Sequence, residues 1–375
     1  MAQWEKRPPG HDHRVEVADD TRVTELYLKA VDQFGSDEPA VRLGGVHALD
    51  RLGREHPEHR QVIVNLWCSY LRMTNPQPTN PGPNDAPEPP RETTVSSEEQ
   101  HVQTTIAELL TARLRDPRPH AERNPRITPP PVTPTFWGPL DIDLSNTRLP
   151  AVDLSDCWIA TATFTNTTFT TDARFRGTVF TDDAGFGGAV FTGYAGFGGA
   201  IFTDGVWFGG AVFTGYAGFD GAVFTGGASF AEAVFIGRAG FVEAVFTGGA
   251  WFGSAVFTDD AAFGGTVVTG RTWFNAAVFT GHAWFVGATF TGRADFSGAV
   301  FTGGAGFIGA VFTGGAGFGG AMFTGRAAGF GEAIFTDDAG FDTAVFTDNA
   351  STDGLMLLWQ DPETETAAAE DAVGG

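Results

Sequence analysis

The chain has little cysteine, little lysine and no long apolar run, and each shortage narrows the class of protein. Two cysteines in 375 residues, Cys68 and Cys157, lie far apart in the sequence, which argues against a disulfide framework and indicates a reduced, cytoplasmic protein. No stretch of about 18 apolar residues occurs, so neither a transmembrane helix nor a signal peptide is expected. Lysine occurs only at Lys6 and Lys29 among 23 basic residues, a bias typical of a GC-rich bacterial genome.

Basic residues are also too few to form a basic face. The formal net charge is −22, which argues against direct binding to nucleic acid or to an anionic membrane. Residues 140–348 contain 19 acidic and 7 basic residues, a net charge of −12, and residues 349–375 contain 6 acidic and no basic residues. Most of the excess negative charge therefore lies in the C-terminal two thirds of the chain.

Residue groupings that support catalysis or metal binding are scarce. His11 and His13, and His56 and His59, have spacings that could hold a metal ion, but no cluster of carboxylates or cysteines accompanies them. Glycine-rich strings such as GGAGFGG lack the Gly-Lys-Ser/Thr ending of a phosphate-binding loop. No serine, histidine and acid come together in the repeat register described below. We therefore expect no enzymatic activity, no cofactor and no metal site.

Glycine and phenylalanine, in contrast, are abundant and periodic. From Phe164 to Phe346 an aromatic centre recurs at alternating spacings of five and six, which gives an eleven-residue unit written AGFGG followed by AVFTGG. Of 34 such centres, 33 are Phe and one is Val268, and Ala stands two residues earlier in 29 cases. Four further centres precede them at a spacing of five: Leu144, Leu149, Leu154 and Ile159. An α-helix cannot place these residues on one face, because its period is 3.6 residues.

A coil of short straight segments explains this spacing. Each segment points its centre and the small residue two positions earlier inward, and glycine or Asp-Asp and Thr-Gly pairs form the corners. Successive coils stack about 4.8 Å apart, so that the backbones of adjacent coils pair and the Phe rings form a continuous core. The sequence therefore predicts a repeat solenoid.

The repeats resemble those of pentapeptide-repeat proteins, whose pattern is A-x-[LF]-x-x. The resemblance covers roughly residues 142–348 and implies a right-handed quadrilateral β-helix with four segments per coil. With the helices described below, the fold class is an α+β multidomain protein in which a small all-helical domain precedes the β-helix. The 38 centres correspond to about 9.5 coils, or a rod of roughly 45 Å. The residue before the centre is mostly Gly, Val or Trp, where the family favours Asp or Asn.

A coil of 22 residues predicts which outward residues stack in columns. One corner column would contain Tyr194, Tyr216, Arg238, Asp260, His282, Gly304 and Arg326. Trp207, Trp251 and Trp273 would share a column on one side, with Trp284 on the opposite side. The Trp and Tyr rings have two interpretations: they face a partner, or they lie flat on a glycine-rich wall. The segment FTGRAAG, between Phe323 and Phe330, is one residue too long and predicts a local bulge at 326–328.

Before residue 116 the apolar spacing becomes helical. Residues 21–34 place Leu26, Ala30 and Phe34 on one stripe, Pro39 suits a first helical position, and Ser96 with Glu99 forms a capping-box pattern. The segment VRLGGVHALDRLG, residues 41–53, resembles the hinge of a HEAT-type helical repeat. The predicted boundaries are a disordered N-terminus (1–20), a HEAT-like helical domain (21–73), a proline-rich linker (74–95), a helix (96–115), a second proline-rich linker (116–139), the β-helix (140–348), a C-terminal segment (349–360) and a disordered acidic tail (361–375).

The C-terminal segment contains the only apolar cluster outside the repeat register: Leu355, Met356, Leu358 and Trp359. This cluster could cap the open end of the solenoid or form a homodimer contact between two rods. For function, the sequence favours a protein-interaction scaffold with an unidentified protein partner. The family resemblance implies an alternative, an acidic mimic of DNA that binds a type II topoisomerase such as DNA gyrase and confers drug resistance or regulation.

Overall fold

The structure is a computed structural model that describes residues 10–77, 96–119, 122–123, 128–325, 328–347 and 356–357. A small helical head precedes a β-solenoid of about nine turns whose sheets are all parallel. The described residues of the head form four α-helices: α1 (Gly10–Phe34), α2 (Pro39–Glu55), α3 (Arg60–Thr74) and α4 (Ser97–Leu114). A 3₁₀ turn, Pro57–His59, precedes α3. Within the described part of the chain, no helix combines the length and apolar character needed to cross a membrane.

The helix signals in the sequence are partly confirmed. Pro39 lies in the first turn of α2, and the Ser96 hydroxyl accepts a hydrogen bond from the Glu99 backbone N–H at 3.2 Å at the start of α4. Two predictions differ from the structure. Helix α1 begins at Gly10, inside the segment predicted to be disordered. The prediction missed this part of the helix because its charged sequence has no apolar stripe and so shows no helical period. Leu26, expected to face inward, is 47% exposed, although Ala30 and Phe34 are buried.

Residues 41–53 do not form a hinge between helices but lie within α2. One of its three glycines, Gly45, serves helix packing instead. A Cβ atom at Gly45 would lie 2.4 Å from the backbone nitrogen of Phe34, so only glycine lets the end of α1 approach this closely. The resemblance to HEAT repeats remains a prediction.

Four parallel sheets form the sides of the solenoid, and each strand has two residues. Sheet 1 contains Ile142–Asp143, Ala162–Thr163, Ala184–Gly185, Val206–Trp207, Ala228–Ser229, Ala250–Trp251, Thr272–Trp273, Ala294–Asp295, Ala316–Gly317 and Ala339–Gly340. Sheet 2 contains Arg148–Leu149, Thr168–Phe169, Val190–Phe191, Val212–Phe213, Val234–Phe235, Val256–Phe257, Val278–Phe279, Val300–Phe301, Met322–Phe323 and Val345–Phe346. Sheet 3 contains Val152–Asp153, Ala173–Arg174, Ala195–Gly196, Ala217–Gly218, Ala239–Gly240, Ala261–Ala262, Ala283–Trp284, Ala305–Gly306 and Ala328–Gly329. Sheet 4 contains Trp158–Ile159, Val179–Phe180, Ile201–Phe202, Val223–Phe224, Val245–Phe246, Val267–Val268, Thr289–Phe290, Val311–Phe312, Ile334–Phe335 and Met356–Leu357.

The strand register confirms the predicted four-sided coil of 22 residues in the middle of the rod. Val190 pairs with Val212, a separation of 22 residues, whereas Ile142 pairs with Ala162, a separation of 20. Towards the C-terminus Ala305 pairs with Ala328, a separation of 23. The extra residue of the FTGRAAG segment therefore enters between Gly325 and Ala328, as predicted, and Arg326 itself lies outside the described residues.

The core is the predicted stack of phenylalanine rings. Phe241 is fully buried, with its ring 4.9 Å from that of Phe219 one coil below and 4.8 Å from that of Phe263 one coil above. Both neighbouring rings are nearly parallel to it, whereas Phe230 on the opposite side of the coil meets it edge-on at 5.4 Å. The alanine two residues before each centre fills the remaining space, since four large side chains per coil leave room only for small ones.

The head packs directly on the first coils of the solenoid. Gln61 and Asp141 exchange two hydrogen bonds, in which Gln61 Nε2 donates to the Asp141 carbonyl at 2.9 Å and the Asp141 N–H donates to Gln61 Oε1 at 3.0 Å. Arg72 forms an ion pair with Asp143. The buried residues of the head and of the Phe stack form one continuous cluster. The head and solenoid therefore share a core, which the sequence did not indicate.

The second proline-rich stretch, predicted to be a linker, is not a free tether. Phe136 and Trp137 are buried, and the Trp137 ring stacks on Trp67 of α3 at 5.9 Å. The guanidinium groups of Arg60 and Arg113 lie 5.6 and 5.8 Å from the Trp137 ring centroid. Of the first proline-rich stretch, residues 78–95 lie outside the described residues, as do residues 1–9 and the predicted acidic tail 361–375.

Candidate interaction surfaces

The predicted tryptophan column lies on sheet 1. Trp207 is in register with Ser229, Ser229 with Trp251, and Trp251 with Trp273, so the three tryptophans occupy one outward column. Trp207 is 46% exposed and Trp251 is 37% exposed, while Trp273 is partly buried. The Trp251 and Trp273 rings are 5.1 Å apart with an angle of 8° between their planes. Trp284 lies on sheet 3, the opposite side, as predicted.

Glycine residues lie against two of these rings, those of Trp207 and Trp251. A Cβ atom added at Gly249 would lie 2.7 Å from Trp251 Cη2, and one at Gly227 would lie 2.9 Å from Trp251 Cζ3. Gly205 stands in the same relation to Trp207, at 2.7 Å from Cη2. One side of the Trp207 and Trp251 rings is therefore held against backbone, and Trp273 stacks on Trp251, while part of each ring meets solvent. This geometry agrees with rings that cover a glycine-rich wall, and it also preorganises them for contact with a partner.

The corner column before sheet 3 begins with the two predicted tyrosines. The Tyr194 and Tyr216 rings stack with centroids 5.8 Å apart. The Tyr216 hydroxyl donates to Asp220 Oδ2 at 2.8 Å. Partial burial and this hydrogen bond to a carboxylate raise the pKa of Tyr216 above its ordinary value.

Farther up the same column Asp260 lies one coil above Arg238 and one coil below His282, as the 22-residue register predicted. In the structure it pairs with His282 on the coil above, with His282 Nδ1 3.1 Å from Asp260 Oδ1. The backbone N–H of His282 also donates to this oxygen, and the two bonds hold the pKa of Asp260 below its ordinary value. The His282 ring lies 5.2 Å from Trp284, nearly parallel to it.

A cavity that the sequence did not indicate lies next to the tyrosine column. It has a volume of about 520 Å³ and is bounded by the segment after α4 and by the sheet 3 to sheet 4 corner. Its charged lining combines Asp116, Arg123, Asp156, Arg176 and Asp220. Arg123 NH1 lies 2.5 Å from Asp156 Oδ2, which ties the segment to the solenoid. Sequence reasoning missed this cavity because it forms only where two distant parts of the chain pack together.

A larger cleft of about 1040 Å³ separates α4 from the first coils. Arg115, Arg148 and Arg174 lie on its rim, and apolar side chains that include Leu110 and Leu149 line its floor. Arg115 is 3.5 Å from Asp153 and Arg174 is 2.7 Å from Asp172, so two of these three bases already have carboxylate partners. The cleft is accordingly less basic than its arginine content suggests.

The C-terminal cluster is described only in part. The backbone of Met356–Leu357 adds the last strand to sheet 4, in register with Ile334–Phe335. It continues the repeat and covers the end of one of the four sheets. Leu355, Leu358 and Trp359 lie outside the described residues, so the cap and the dimer contact both remain predictions.

The candidate metal ligands do not form a site in the described part of the chain. The His56 and His59 rings are 6.3 Å apart, and His59 stacks on Tyr27 instead. No group of three or more His, Cys, Asp or Glu among the described residues is arranged to hold a metal ion. Cys68 and Cys157 are free and buried, and burial raises the pKa of the Cys68 thiol to about 12, which makes it a poor nucleophile.

These features define the class of the molecule, a four-sided parallel β-solenoid with a helical head. A family model described as pentapeptide repeats (9 copies) matches overlapping windows of the solenoid: residues 164–212, 175–223, 208–256, 219–267, 252–300 and 285–333. The solenoid therefore belongs to the pentapeptide-repeat family, as the Ala-x-Phe spacing predicted. Neither a curated protein nor a solved structure matched the chain significantly. Pentapeptide-repeat solenoids are generally non-catalytic.

Proposed function

We propose that this protein is a non-enzymatic, cytoplasmic bacterial scaffold that binds a protein partner through the sheet 1 face. The observation that carries the proposal is the column of Trp207, Trp251 and Trp273, held on a rigid wall with two of its rings more than a third exposed. Trp is the residue most enriched among those that dominate binding energy at protein interfaces. The two free cysteines support a reducing compartment.

Rigidity is the physical reason why this face suits binding. Trp207 and Trp251 are fixed by contact with glycine backbone, and Trp273 stacks on Trp251, so little side-chain freedom is lost when a partner covers them. The solenoid backbone is also fixed, because each coil is hydrogen-bonded to the coils on either side. Tyr194 and Tyr216 form a separate aromatic patch at the corner between sheet 2 and sheet 3, and we include them in the candidate interaction surface.

Replacement of the three tryptophans tests the proposal. In the variant with Trp207→Ser, Trp251→Ser and Trp273→Ser the fold should persist, since these side chains lie outside the Phe core. Partners captured from a bacterial lysate by the native protein and identified by mass spectrometry should be lost with this variant. The matched control is Trp284→Ser, on the opposite side of the solenoid and 41% exposed. Equal capture by the native protein and the triple variant would mean that the tryptophans only cover the glycine-rich wall and do not bind the partner.

A second candidate is mimicry of DNA toward DNA gyrase, favoured by the rod shape and its acidity. The small net charge of the solenoid makes this candidate less favoured than the scaffold. Duplex DNA carries one charge per ~1.7 Å, so roughly 45 Å of it holds about 26 charges, whereas residues 140–348 have a net charge of −12. Gyrase supercoiling assays with and without a quinolone decide between the two candidates. A scaffold leaves supercoiling and drug sensitivity unchanged, and a mimic inhibits or protects the enzyme.

A further inference from the structure

Two arginines stand beside the tryptophans on sheet 1. Arg271 and Arg293 immediately precede the strands Thr272–Trp273 and Ala294–Asp295. The N–H of Thr272 donates to the Arg293 carbonyl at 2.9 Å, which places the two arginines in one column on consecutive coils, about 4.8 Å apart. Both are exposed. Within the described part of the chain, neither guanidinium lies at ion-pair distance from a carboxylate.

The charge of this patch is opposite to that of the rod. The nearest outward acid in the same register is Asp295, whose Oδ1 already accepts a hydrogen bond from the Ser297 N–H at 2.9 Å. Two bases and one acid therefore lie beside the stacked Trp251 and Trp273 rings, in a solenoid with 19 acidic and 7 basic residues. Guanidinium groups pair with carboxylates. The patch thus fits an acidic segment.

We propose that this segment is the chain's own C-terminal tail, residues 358–371, folded back along sheet 1 of the same molecule. The tail carries Trp359, Asp361, Glu363 and Glu365 at every second position. In an extended chain, alternate residues project on the same side. Three carboxylates would then face the wall together. Residues 349–375 contain no basic residue that could compete for these acids.

The tail is long enough to span the distance from the end of sheet 4 to the two arginines. The strand Met356–Leu357 ends sheet 4, and the corner that follows sheet 4 leads to sheet 1. Counted from the corner that follows Met356–Leu357 towards the head, Arg293 lies three coils away and Arg271 lies four coils away. The count follows from the pairing of Ala294 with Ala316 and of Ala316 with Ala339. Coils about 4.8 Å apart give ~14 and ~19 Å.

The acids lie within that reach. At about 3.3 Å per residue, Glu363 extends up to ~20 Å beyond Leu357 and Glu365 up to ~26 Å. Asp338 lies in the same corner column, between the end of the solenoid and Arg293. The tail therefore passes one acidic residue before it reaches Arg293 and Arg271. The tail then covers Trp251 and Trp273 and competes with the partner for this face. This consequence rests on the proposed function, but docking of the tail does not.

A spin label on the tail tests the docking directly. The full chain with Thr364→Cys is labelled, since Cys68 and Cys157 are buried, and its electron paramagnetic resonance spectrum should contain an immobilised component. That component should be lost with Arg271→Glu plus Arg293→Glu and in high salt. It should persist with the control Arg238→Glu, an outward arginine on the corner before sheet 3. A spectrum without an immobilised component in the native background overturns the proposal, as does immobilisation that survives the double charge reversal.

Light scattering on the same samples distinguishes the source of the tail. Immobilisation that grows with protein concentration together with a doubled mass assigns the tail to a second copy and overturns docking within one molecule. Immobilisation in a monomer supports it. The spectrum requires no partner, so a mobile label overturns this proposal alone, whereas unchanged capture by the Trp-to-Ser variant overturns the proposed function alone.

Discussion

Trp158 donates its indole Nε1–H to the Asp116 carboxylate at 3.1 Å, and Arg118 donates to the same carboxylate at 2.6 Å. The contact joins the segment after α4 to the first strand of sheet 4. Burial alone would raise the pKa of Asp116, but the hydrogen bonds from Arg118 and Trp158 outweigh burial and hold the pKa below its ordinary value. The carboxylate therefore stabilises the joint between head and solenoid in its ionised form.

Asp116→Ala should lower the free energy of unfolding by about 1–3 kcal/mol, because it leaves the buried indole N–H without an acceptor. The folded-state pKa of Asp116 is depressed, so its contribution is complete above the ordinary pKa of 3.8 and is lost as the pH falls through the lower folded-state pKa. Urea denaturation of both proteins should give a stability difference that is constant near neutral pH and shrinks below about pH 4. Asp259→Ala, at an exposed corner, is the control. A difference that does not depend on pH would contradict ionisation as the cause.

Phe241→Asp should unfold the middle of the rod. It places a carboxylate between two stacked rings in a site with no solvent access, at a cost of several kcal/mol, roughly 3–5 by comparison with other buried charges. Circular dichroism against temperature measures the loss. Phe241→Leu, which keeps an apolar side chain, should lower stability much less. Comparable melting of the two variants would mean that the stack tolerates charge and that its core is wet.

Ala276 and Ala277 are neighbours with opposite expectations for the same change. Ala276 is at a corner with φ = 54°, a region that disfavours residues with a Cβ atom by about 1–2 kcal/mol, so Ala276→Gly should leave stability unchanged or raise it by up to about 1 kcal/mol. Ala277 is fully buried beside the Phe stack, so Ala277→Gly should lower stability by about 1 kcal/mol or more. Thermal denaturation of the two variants should therefore move the midpoint in opposite directions or move only the second.

The role of the C-terminal apolar cluster is open to a mass measurement. If Leu358 and Trp359 form a contact between two rods, the native chain should be a dimer by light scattering, and Leu358→Glu with Trp359→Glu should be a folded monomer. If they cap the rod, the native chain should be a monomer and the double variant should melt at a lower temperature. A dimer would double the rod to roughly 90 Å and strengthen the case for gyrase binding.

The repeat made most of the solenoid predictable from sequence. Regular spacing of centres such as Phe164 and Phe169 fixes the side of the coil on which each residue lies, and from this the Trp207 to Trp273 column follows by counting. The same counting carries no information about the head. Packing of Trp137 between Arg60 and Arg113, or of Gln61 against Asp141, depends on tertiary contacts that have no period. The position of Arg271 and Arg293 in one corner column, in contrast, follows from their separation of 22 residues.

The 22-residue register fixes the spacing of surface features along the rod. Surface features on one side of the rod can be separated only by whole multiples of about 4.8 Å, as Trp207 and Trp251 are by two steps. Duplication or deletion of one full coil would change that separation by one step and leave every column aligned. Insertion of a single residue, as between Gly325 and Ala328, instead changes the residue number at which each column continues while its geometry is kept. The head defines the end from which these steps are counted, because its contacts with Asp141 and Asp143 lie in the first coil.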